Sequence, residues 1–463
     1  MPDQDLSRTT AANFTEVGIS GLERYGADVY EEFLPALRGH RGMKVFKEMS
    51  MNDPTIGAIL FVAEQLIRRV TWGIEAGGSS RVDKEAKEFL ASCMEDMSAT
   101  WADTIAEILS YFVYGWSWHE IVYKRRLGES RNPTTNSQYN DGRIGWRKLA
   151  GRSQMTLYGW KFQKDGGIIA MEQKAPPDFT IRTIPLEKSL LFRSRADKNN
   201  PEGRSLLRNA YRPWYFKKHI EEIEGIGIER DLAGLPVLIP PDGLDIWEEL
   251  NPDMVRMKTK AEKLIRNIRR DQSEGVVLPF GWELKLLSTG SRRQFDTNAI
   301  LNRYDQRIAI TMLADIVLLG ADKVGSFALA DAKKGLMAAA IDAQLHGIAE
   351  VFNRYAIPRL FAVNSFPGLK QLPKLLPDTV VAPDLVQLAA FISDLAGHDV
   401  FAGKEADLEN HLRRLAGLPK RAEDSKLGVQ RKPEPKPPVP SVPPVPGEGK
   451  EEVIDDPGQS SKD

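Results

Sequence analysis

Two charged helical segments that flank a short insertion constrain the fold of this chain more than any other feature of its sequence. The pattern predicts one helix over residues 205–232 and another over residues 295–318, the second about 36 Å long at about 1.5 Å per residue. A small α+β module, residues 235–290, separates them. Because so small a module cannot cover the apolar residues of both helices, we expect copies of the chain to associate.

The charge balance limits the partners that the chain can have. Its 463 residues suggest about three structural units and enough apolar material for a core. Lysine and arginine total 63 and aspartate and glutamate total 64, which gives a formal net charge of −1. A protein that coats nucleic acid would be strongly basic, so any contact with DNA must be local.

The single cysteine and the absence of long apolar runs indicate the environment of the chain. Cys93 has no second cysteine to pair with, and no Cys/His cluster has the spacing of a zinc site. Residues 1–13 lack the apolar core of a secretory signal, and no segment has the roughly 18 uncharged residues of a membrane span. We expect a soluble protein in a reducing compartment, with no membrane partner and with Cys93 in its core.

The N-terminal part of the chain changes character at Gly115. Asp53 and Pro54 are typical of a helix start, and apolar residues then recur at helical spacing as far as residue 112. Short segments rich in aromatic and aliphatic residues follow, separated by turn-forming residues: 116–124, 155–163, 179–184 and 189–193. Helices followed by antiparallel strands predict an α+β fold rather than an alternating βαβ fold.

The insertion carries a short, strongly basic helix. A strand over residues 235–239 precedes it, and residues 276–278 and 282–287 are expected to form a small strand pair after it. Apolar residues keep a 3-4 spacing on one side of the helix, while cations cover most of the rest. These cations are Arg256, Lys258, Lys260, Lys263, Arg266, Arg269 and Arg270.

Breakers and compositional changes divide the remaining chain. Pro213, Gly225 and Gly227 are expected to interrupt or bend the first long helix. A loop is predicted over residues 319–331, followed by a helix that ends at Pro358. Further helices are predicted over residues 385–396 and 405–415, and a proline-rich, then acidic, disordered tail begins near residue 431.

The motifs of enzymes are incomplete in this sequence. Residues 320–326 have the glycine spacing of a phosphate-binding loop, but Ser326 stands where that loop needs lysine. His119 and Glu120 lack the second histidine of a zinc protease and lie in a predicted strand. We therefore predict no catalytic residues, no metal site and no cofactor.

Several short strings stand in a fixed order along most of the chain. They are Met51-Asn52-Asp53-Pro54, Val70-Thr71-Trp72-Gly73-Ile74-Glu75, Tyr114-Gly115-Trp116-Ser117-Trp118-His119-Glu120-Ile121-Val122-Tyr123, Asn200-Pro201-Glu202-Gly203-Arg204-Ser205-Leu206-Leu207-Arg208, Glu229-Arg230-Asp231-Leu232-Ala233-Gly234-Leu235-Pro236, Gly325-Ser326-Phe327-Ala328-Leu329-Ala330 and Phe352-Asn353-Arg354. In this order the chain resembles the portal proteins of tailed phages, especially the Mu-like branch.

The resemblance implies a structural role in a virus particle. Portal proteins form a ring, commonly a dodecamer, at one capsid vertex, and double-stranded DNA passes through its channel during packaging and ejection. The implied partners are further copies of the chain, the DNA, the large terminase, the major capsid and scaffolding proteins, and the head-completion and tail proteins. The implied location is the portal vertex of the virion, and the host cytoplasm during assembly.

The resemblance also implies a division of the chain into the parts of a portal: an α/β wing, a two-helix stem, a small α/β clip and a helical crown. In chain order these are the wing (1–204), the first stem helix (205–234), the clip (235–290), the second stem helix (291–318), the channel loop (319–334), the wing helix and return (335–382), the crown (383–428) and the disordered proline-rich tail (429–463).

Two sets of residues become candidate sites through the resemblance. Lys323, Val324 and Ser326 lie in the implied channel loop, where a ring would turn them toward the DNA; the alternative is an exposed helix connection. The basic helix lies in the implied clip, where its cations would face the terminase, the connector proteins or DNA; the alternative is a solvated helix face.

Two other classes of function remain open for this sequence. A monomeric nucleic-acid-processing enzyme would use the basic helix to hold its substrate. A scaffold or adaptor protein would use the proline-rich tail to recruit partners.

Overall fold

The computed structural model describes residues 18–130, 132–163, 166–233, 235–267, 277–287, 296–312 and 327–380. The chain divides into two compact units, Met1–Val381 and Ala382–Asp463, and all the described residues belong to the first. The implied crown and the predicted tail therefore lie outside the described residues.

The described residues form a mixed α+β fold. In chain order its α-helices are α1 Gly39–Asn52, α2 Pro54–Arg68, α3 Arg81–Glu95, α4 Trp101–Ile108, α5 Ser110–Tyr114, α6 Tyr211–Ala233, α7 Pro252–Asn267, α8 Thr297–Thr311, α9 Phe327–Val351 and α10 Ile357–Ala362. Its strands are β1 Arg24–Tyr25, β2 Asp28–Val29, β3 Trp72–Glu75, β4 Trp116–Arg125, β5 Ile144–Arg152, β6 Leu157–Phe162, β7 Ile168–Lys174, β8 Ile181–Pro185, β9 Ser189–Arg193, β10 Leu235–Ile239, β11 Glu283–Leu287 and β12 Lys374–Pro377.

The strands pair into several small sheets, and every pairing among the described residues is antiparallel, which confirms the predicted α+β class. The strand orders are β5-β4-β9, β6-β7-β8, β1-β2, β3-β12 and β10-β11. The sequence did not predict β5 or β7. Glycines and cations interrupt the apolar alternation of β5, and β7 has an apolar half followed by a polar half rather than an alternation.

Two hydrophobic clusters hold the part of the chain before α6 and the helix α9 together. In the larger cluster, Phe352 is fully buried and packs against the rings of Trp101, Trp146 and Phe192. Cys93 is fully buried in the same cluster, which confirms its predicted place in the core. The second cluster contains Trp116, Trp118 and Trp160.

Local signals in the sequence set the helix starts. The Asp53 side chain accepts a hydrogen bond from the backbone N–H of Ile56 at 2.9 Å, and Pro54 occupies the first helical position of α2, as predicted. Ser80 and Asp83 cap α3 reciprocally. Helix α1 was not predicted from the sequence.

Gly115 makes the turn from α5 into β4. Its backbone φ angle is +91°, a value that residues with a Cβ atom rarely adopt. A Cβ there would also lie 2.5 Å from the carbonyl oxygen of Glu202, so only glycine fits.

Helices α6 and α8 each differ from the predictions. Helix α6 runs unbroken through Pro213, Gly225 and Gly227, since Pro213 lies in the first turn, where its missing N–H is not needed. Helix α8 ends at Thr311 rather than at residue 318, with Met312 as its C-cap.

The predicted loop and the predicted end of α9 are also wrong in part. Helix α9 begins at Phe327, inside the predicted loop and the implied channel loop. The chain does not leave helical geometry at Pro358, because a π-helical turn, Phe352–Ala356, leads directly into α10. Pro358 is tolerated there because it stands in the first turn of α10.

A search of the described residues for a helix long and apolar enough to cross a bilayer finds none.

Candidate functional site

A buried group of three charges joins α6 to α8 and α2. The Lys217 ammonium of α6 donates hydrogen bonds to Asp53 Oδ2 at 3.0 Å and to Asp305 Oδ1 at 2.7 Å. The Thr55 hydroxyl donates to the same Asp305 oxygen at 2.6 Å. Lys217 is buried, and Asp53 uses its other oxygen to cap α2. We call Lys217, Asp53 and Asp305 the charged node.

The charged node keeps its lysine protonated. Burial by itself lowers the pKa of Lys217, but the hydrogen bonds and charges of Asp305 and Asp53 outweigh this effect and raise the pKa above its ordinary value. Burial raises the pKa of the neighbouring Glu221, although the charge of Lys217 opposes that shift. Lys217 is therefore protonated at neutral pH.

Helices α6 and α8 run antiparallel beside the charged node. The rings of Phe216 and Tyr304 stack with their centroids 6.5 Å apart. At the other end of α8, the hydroxyl of Thr297 donates a hydrogen bond to Glu224. These contacts fix which residues of the two helices lie at the same height.

The inserted module between these helices consists of a strand pair and a covering helix. Strands β10 and β11 pair with each other, Leu235 opposite Leu287 and Ile239 opposite Glu283. The prediction that residues 276–278 would pair with residues 282–287 is therefore wrong; of the first segment, the described residues 277 and 278 are not in a strand. The residue pattern of one strand shows which of its faces is apolar, but it does not show which other strand pairs with it.

The apolar side of α7 packs on the strand pair. Ala261 and Ile265 of α7, Leu238 of β10 and Trp282 beside β11 line one pocket. This packing confirms the predicted amphipathic helix, which the structure places at Pro252–Asn267.

The exposed side of α7 carries a row of cations. Arg256, Lys260 and Lys263 stand four and three residues apart, so they share one face of the helix, and all three are exposed. Arg266 is also exposed, about one turn further along the helix than Lys263. Arg256 approaches a carboxylate only loosely, with Asp253 at 3.8 Å. We call Arg256, Lys260 and Lys263 the basic row.

Lys258 has a different environment from the basic row. Its ammonium lies 3.9 Å from the ring centroid of Trp247, a cation–π contact, and it is half-buried. Arg269 and Arg270 lie outside the described residues, as do Lys323, Val324 and Ser326 of the implied channel loop.

Large apolar side chains are exposed in the same module, and the sequence did not predict this. Trp247 is 69% exposed, Leu250 is 96% exposed, and Val277 and Phe280 are almost fully exposed. Such side chains beside a row of cations are typical of a protein-binding surface. The sequence feature that could have indicated this exposure is Trp247, a tryptophan in a turn-rich and otherwise mostly polar segment.

The His119-Glu120 motif has a structural environment, whereas the glycine-containing segment 320–326 lies outside the described residues. His119 is fully buried beside Phe192, and burial lowers its pKa to about 4. Among the residues that the structure describes, no group of three or more His, Cys, Asp or Glu side chains could hold a metal ion.

The family model described as the portal protein of Mu bacteriophage matches residues 43–414 of the chain. The match covers α1 to β12 and extends beyond the described residues.

Several solved structures have similar chains. A chain of the native gene transfer agent (GTA) virion is 12% identical, with a TM-score of 0.47 over 86% of this chain and 97% of that chain. A chain of the native GTA particle neck, computed with C12 symmetry, is 12% identical, with a TM-score of 0.45 over 82% of this chain and 94% of that chain. An HK97-family phage portal protein from Corynebacterium diphtheriae is 11% identical, with a TM-score of 0.37 over 70% of this chain and 92% of that chain.

The charged node predicts an unequal effect of two neighbouring substitutions. Lys217→Met would leave the buried Asp53 and the partly exposed Asp305 without a cation, and we expect it to lower the free energy of unfolding by about 3–5 kcal/mol. Lys218→Met is the matched control, because Lys218 is partly exposed and pairs with Glu48 at the surface; its loss should be below about 1 kcal/mol. Urea unfolding followed by circular dichroism measures both, and equal losses would contradict the role of the node.

Proposed function

The chain belongs to the portal protein family of Mu bacteriophage and is a capsid portal protein, and from this premise we propose that its copies form a ring at one capsid vertex through which double-stranded DNA is packaged and ejected. The match over residues 43–414 is the observation that carries the proposal. The family is one of structural proteins, and the proposal contains no catalytic step.

The parts of a portal are proposed to correspond to described elements as follows. Helices α6 and α8 are the stem, the module from β10 to β11 is the clip, and α1 to β9 together with α9, α10 and β12 belong to the wing. The charged node supports this division, because it joins both stem helices to α2 of the wing.

Exposed apolar residues on the stem support association into a ring. Ile223 and Ile226 of α6 and Ile310 of α8 are exposed although the two helices pack together. A monomer would leave these side chains in water, whereas neighbouring copies around a ring would cover them. We expect the ring to be a dodecamer, the oligomer that is common in the family.

A near-neutral chain suits a channel through which DNA must move. Each phosphate that a fixed cation neutralises adds to the free energy that holds the DNA in place. With a formal net charge of −1, the chain has no excess of cations to hold the duplex along its whole length. The proposed contact in the channel is local, at Lys323, Val324 and Ser326.

The clip is proposed as the docking surface for the large terminase and, later, for head-completion and tail proteins. The basic row offers a positive charge that attracts an acidic partner surface, and the exposed Trp247 and Leu250 offer apolar area that a partner would bury. Major capsid and scaffolding proteins are proposed as the partners of the surrounding shell, and the virion portal vertex as the location.

Imaging of the purified full-length chain tests the proposed function. We expect negative-stain electron microscopy to show closed rings with a central hole, because the stem leaves apolar faces that only neighbouring copies can cover. A chain without residues 431–463 should form the same rings, since the tail is not part of the proposed stem contact. A chain that sediments as a well-folded monomer under all assembly conditions would refute the portal ring and favour the enzyme or adaptor alternatives.

The clip surface predicts a salt-dependent loss of terminase binding. Replacing Arg256, Lys260 and Lys263 with glutamate should weaken binding of the large terminase by about tenfold or more at low salt, and the difference should shrink as salt rises.

The matched control for this change reverses Arg81, Lys84 and Lys87, which are exposed on α3 of the proposed wing and give the same change in net charge. Titration of labelled terminase against wild-type and variant rings measures the affinities. Equal affinities for the two triple variants would remove the docking proposal, and a loss seen only with duplex DNA as the ligand would assign the basic row to DNA.

The channel residues predict a defect in DNA packaging. Lys323→Glu should reduce the DNA packaged per head, because it replaces an attraction for phosphate with a repulsion. Rings of this variant should form normally in negative stain. Lys370→Glu, an exposed position between α10 and β12, is the charge-matched control. Packaged DNA equal to that of the wild type in both variants would exclude a DNA contact at Lys323.

A further inference from the structure

The side of α6 that faces away from α8 carries exposed apolar side chains. At 100° per residue, Tyr215 and Ile226 lie on the opposite side of the helix from Lys217, which contacts α8. Tyr215 is 42% exposed and Ile226 is 50% exposed. Since α8 occupies the other side of α6, it cannot cover these residues within the same chain.

The side of α8 that faces away from α6 carries cations without carboxylate partners. Arg303 and Arg307 are exposed there, and Ala299 and Ile310 share that side. Within the described part of the chain, neither arginine forms an ion pair; each approaches only the ring of Tyr304, at 5.5 and 5.9 Å from its centroid.

The two outward sides match in height along the helix pair. Lys217 contacts Asp305 and Glu224 contacts Thr297, so the antiparallel register is fixed at both ends. By this register, Tyr215 lies level with Arg307. Glu222 lies level with Ala299.

Glu222 of α6 lies within one helical turn of the height of Arg303. It is exposed and contacts only Lys218 and His219 of its own helix. The outward side of α6 therefore combines apolar, aromatic and acidic groups at the heights where the outward side of α8 presents a small residue and two arginines.

We propose that the outward side of α6 in one copy packs against the outward side of α8 in the next copy. This inference rests on the proposed function, that copies form a ring, and deepens it by naming the contact surfaces. A rotation about an axis along the helix pair leaves each residue at its own height. It therefore brings Arg307 over the ring of Tyr215, and it brings Glu222 onto Ala299, within one helical turn of Arg303. The contact is heterologous, which is the kind that closes a ring.

DNA is a poorer occupant of either side. Exposed isoleucines gain nothing from phosphates, and fixed arginines along the stem would hold a duplex that has to move. A protein surface with both apolar area and a carboxylate satisfies both sides at once.

Charge reversal and its compensation test the contact between Glu222 and Arg303. We expect Arg303→Glu with Arg307→Glu to shift the assembly equilibrium toward monomer by about tenfold or more, measured by sedimentation velocity across a concentration series. Glu222→Arg should restore much of the assembly of the single variant Arg303→Glu. Reversal of Arg81 and Lys84 on α3 is the charge-matched control and should leave assembly unchanged, and circular dichroism checks that all variants are folded.

A disulfide experiment tests the packing directly. In a double variant Glu222→Cys and Ala299→Cys, the two thiols lie on opposite outward sides of one helix pair, so they cannot bond within a chain. Mild oxidation should give a ladder of cross-linked copies on a denaturing gel. Each single cysteine variant and the wild type are controls; the natural Cys93 is buried and its pKa is raised to about 11, so it does not compete.

The outcomes separate this inference from the proposed function. A wild-type chain that forms no rings overturns both. Rings that persist in the reversed variant, with no ladder in the double cysteine variant, overturn the interface and leave the portal ring standing. Rings that persist while packaged DNA falls would assign the arginines to the channel and also overturn the interface.

Discussion

The charged node is the interaction on which the arrangement of the two long helices depends. Lys217 brings together a carboxylate from the start of α2 and one from the middle of α8, and removal of the lysine would leave both carboxylates without a cation. Buried ion pairs add little net stability compared with apolar packing, but they penalise every alternative arrangement heavily. The node therefore fixes the heights of α6 and α8 relative to each other and to α2.

One consequence of the node is that the helix pair has two free sides. Lys217 and Phe216 direct one part of α6 toward α8, so Tyr215 and Ile226 on its far side stay exposed among the described residues. The exposed apolar area on α6 therefore results from the contacts that join α6 to α8. A closed ring uses such an element well, because each copy offers one side and receives the other.

The sequence predicted the features that local chemistry decides. Asp53 and Pro54 began a helix, Cys93 was in the core, and the strands were antiparallel. It could not predict the partner of β11 or the burial of Lys217, whose carboxylate partners are 164 and 88 residues away in the chain. A lysine in a charged helix has the pattern of a solvated residue, and only the long-range packing shows that it is buried. Of the candidate site residues, the spacing of the basic row predicted a shared face, whereas the exposure of Trp247 and Leu250 had no periodic signal.

The same type of side chain has two different roles because its surroundings differ. Lys217 lies in a dry environment between two carboxylates, where its charge interactions are strong, little screened by salt and permanent. Arg256, Lys260 and Lys263 lie in water, where each ion pair is weak and sensitive to salt, so that a partner can be attracted and later released. The proposed docking surface would serve the terminase first and other proteins afterwards, and such an exchange requires the second kind of interaction on helices that are held in place by the first.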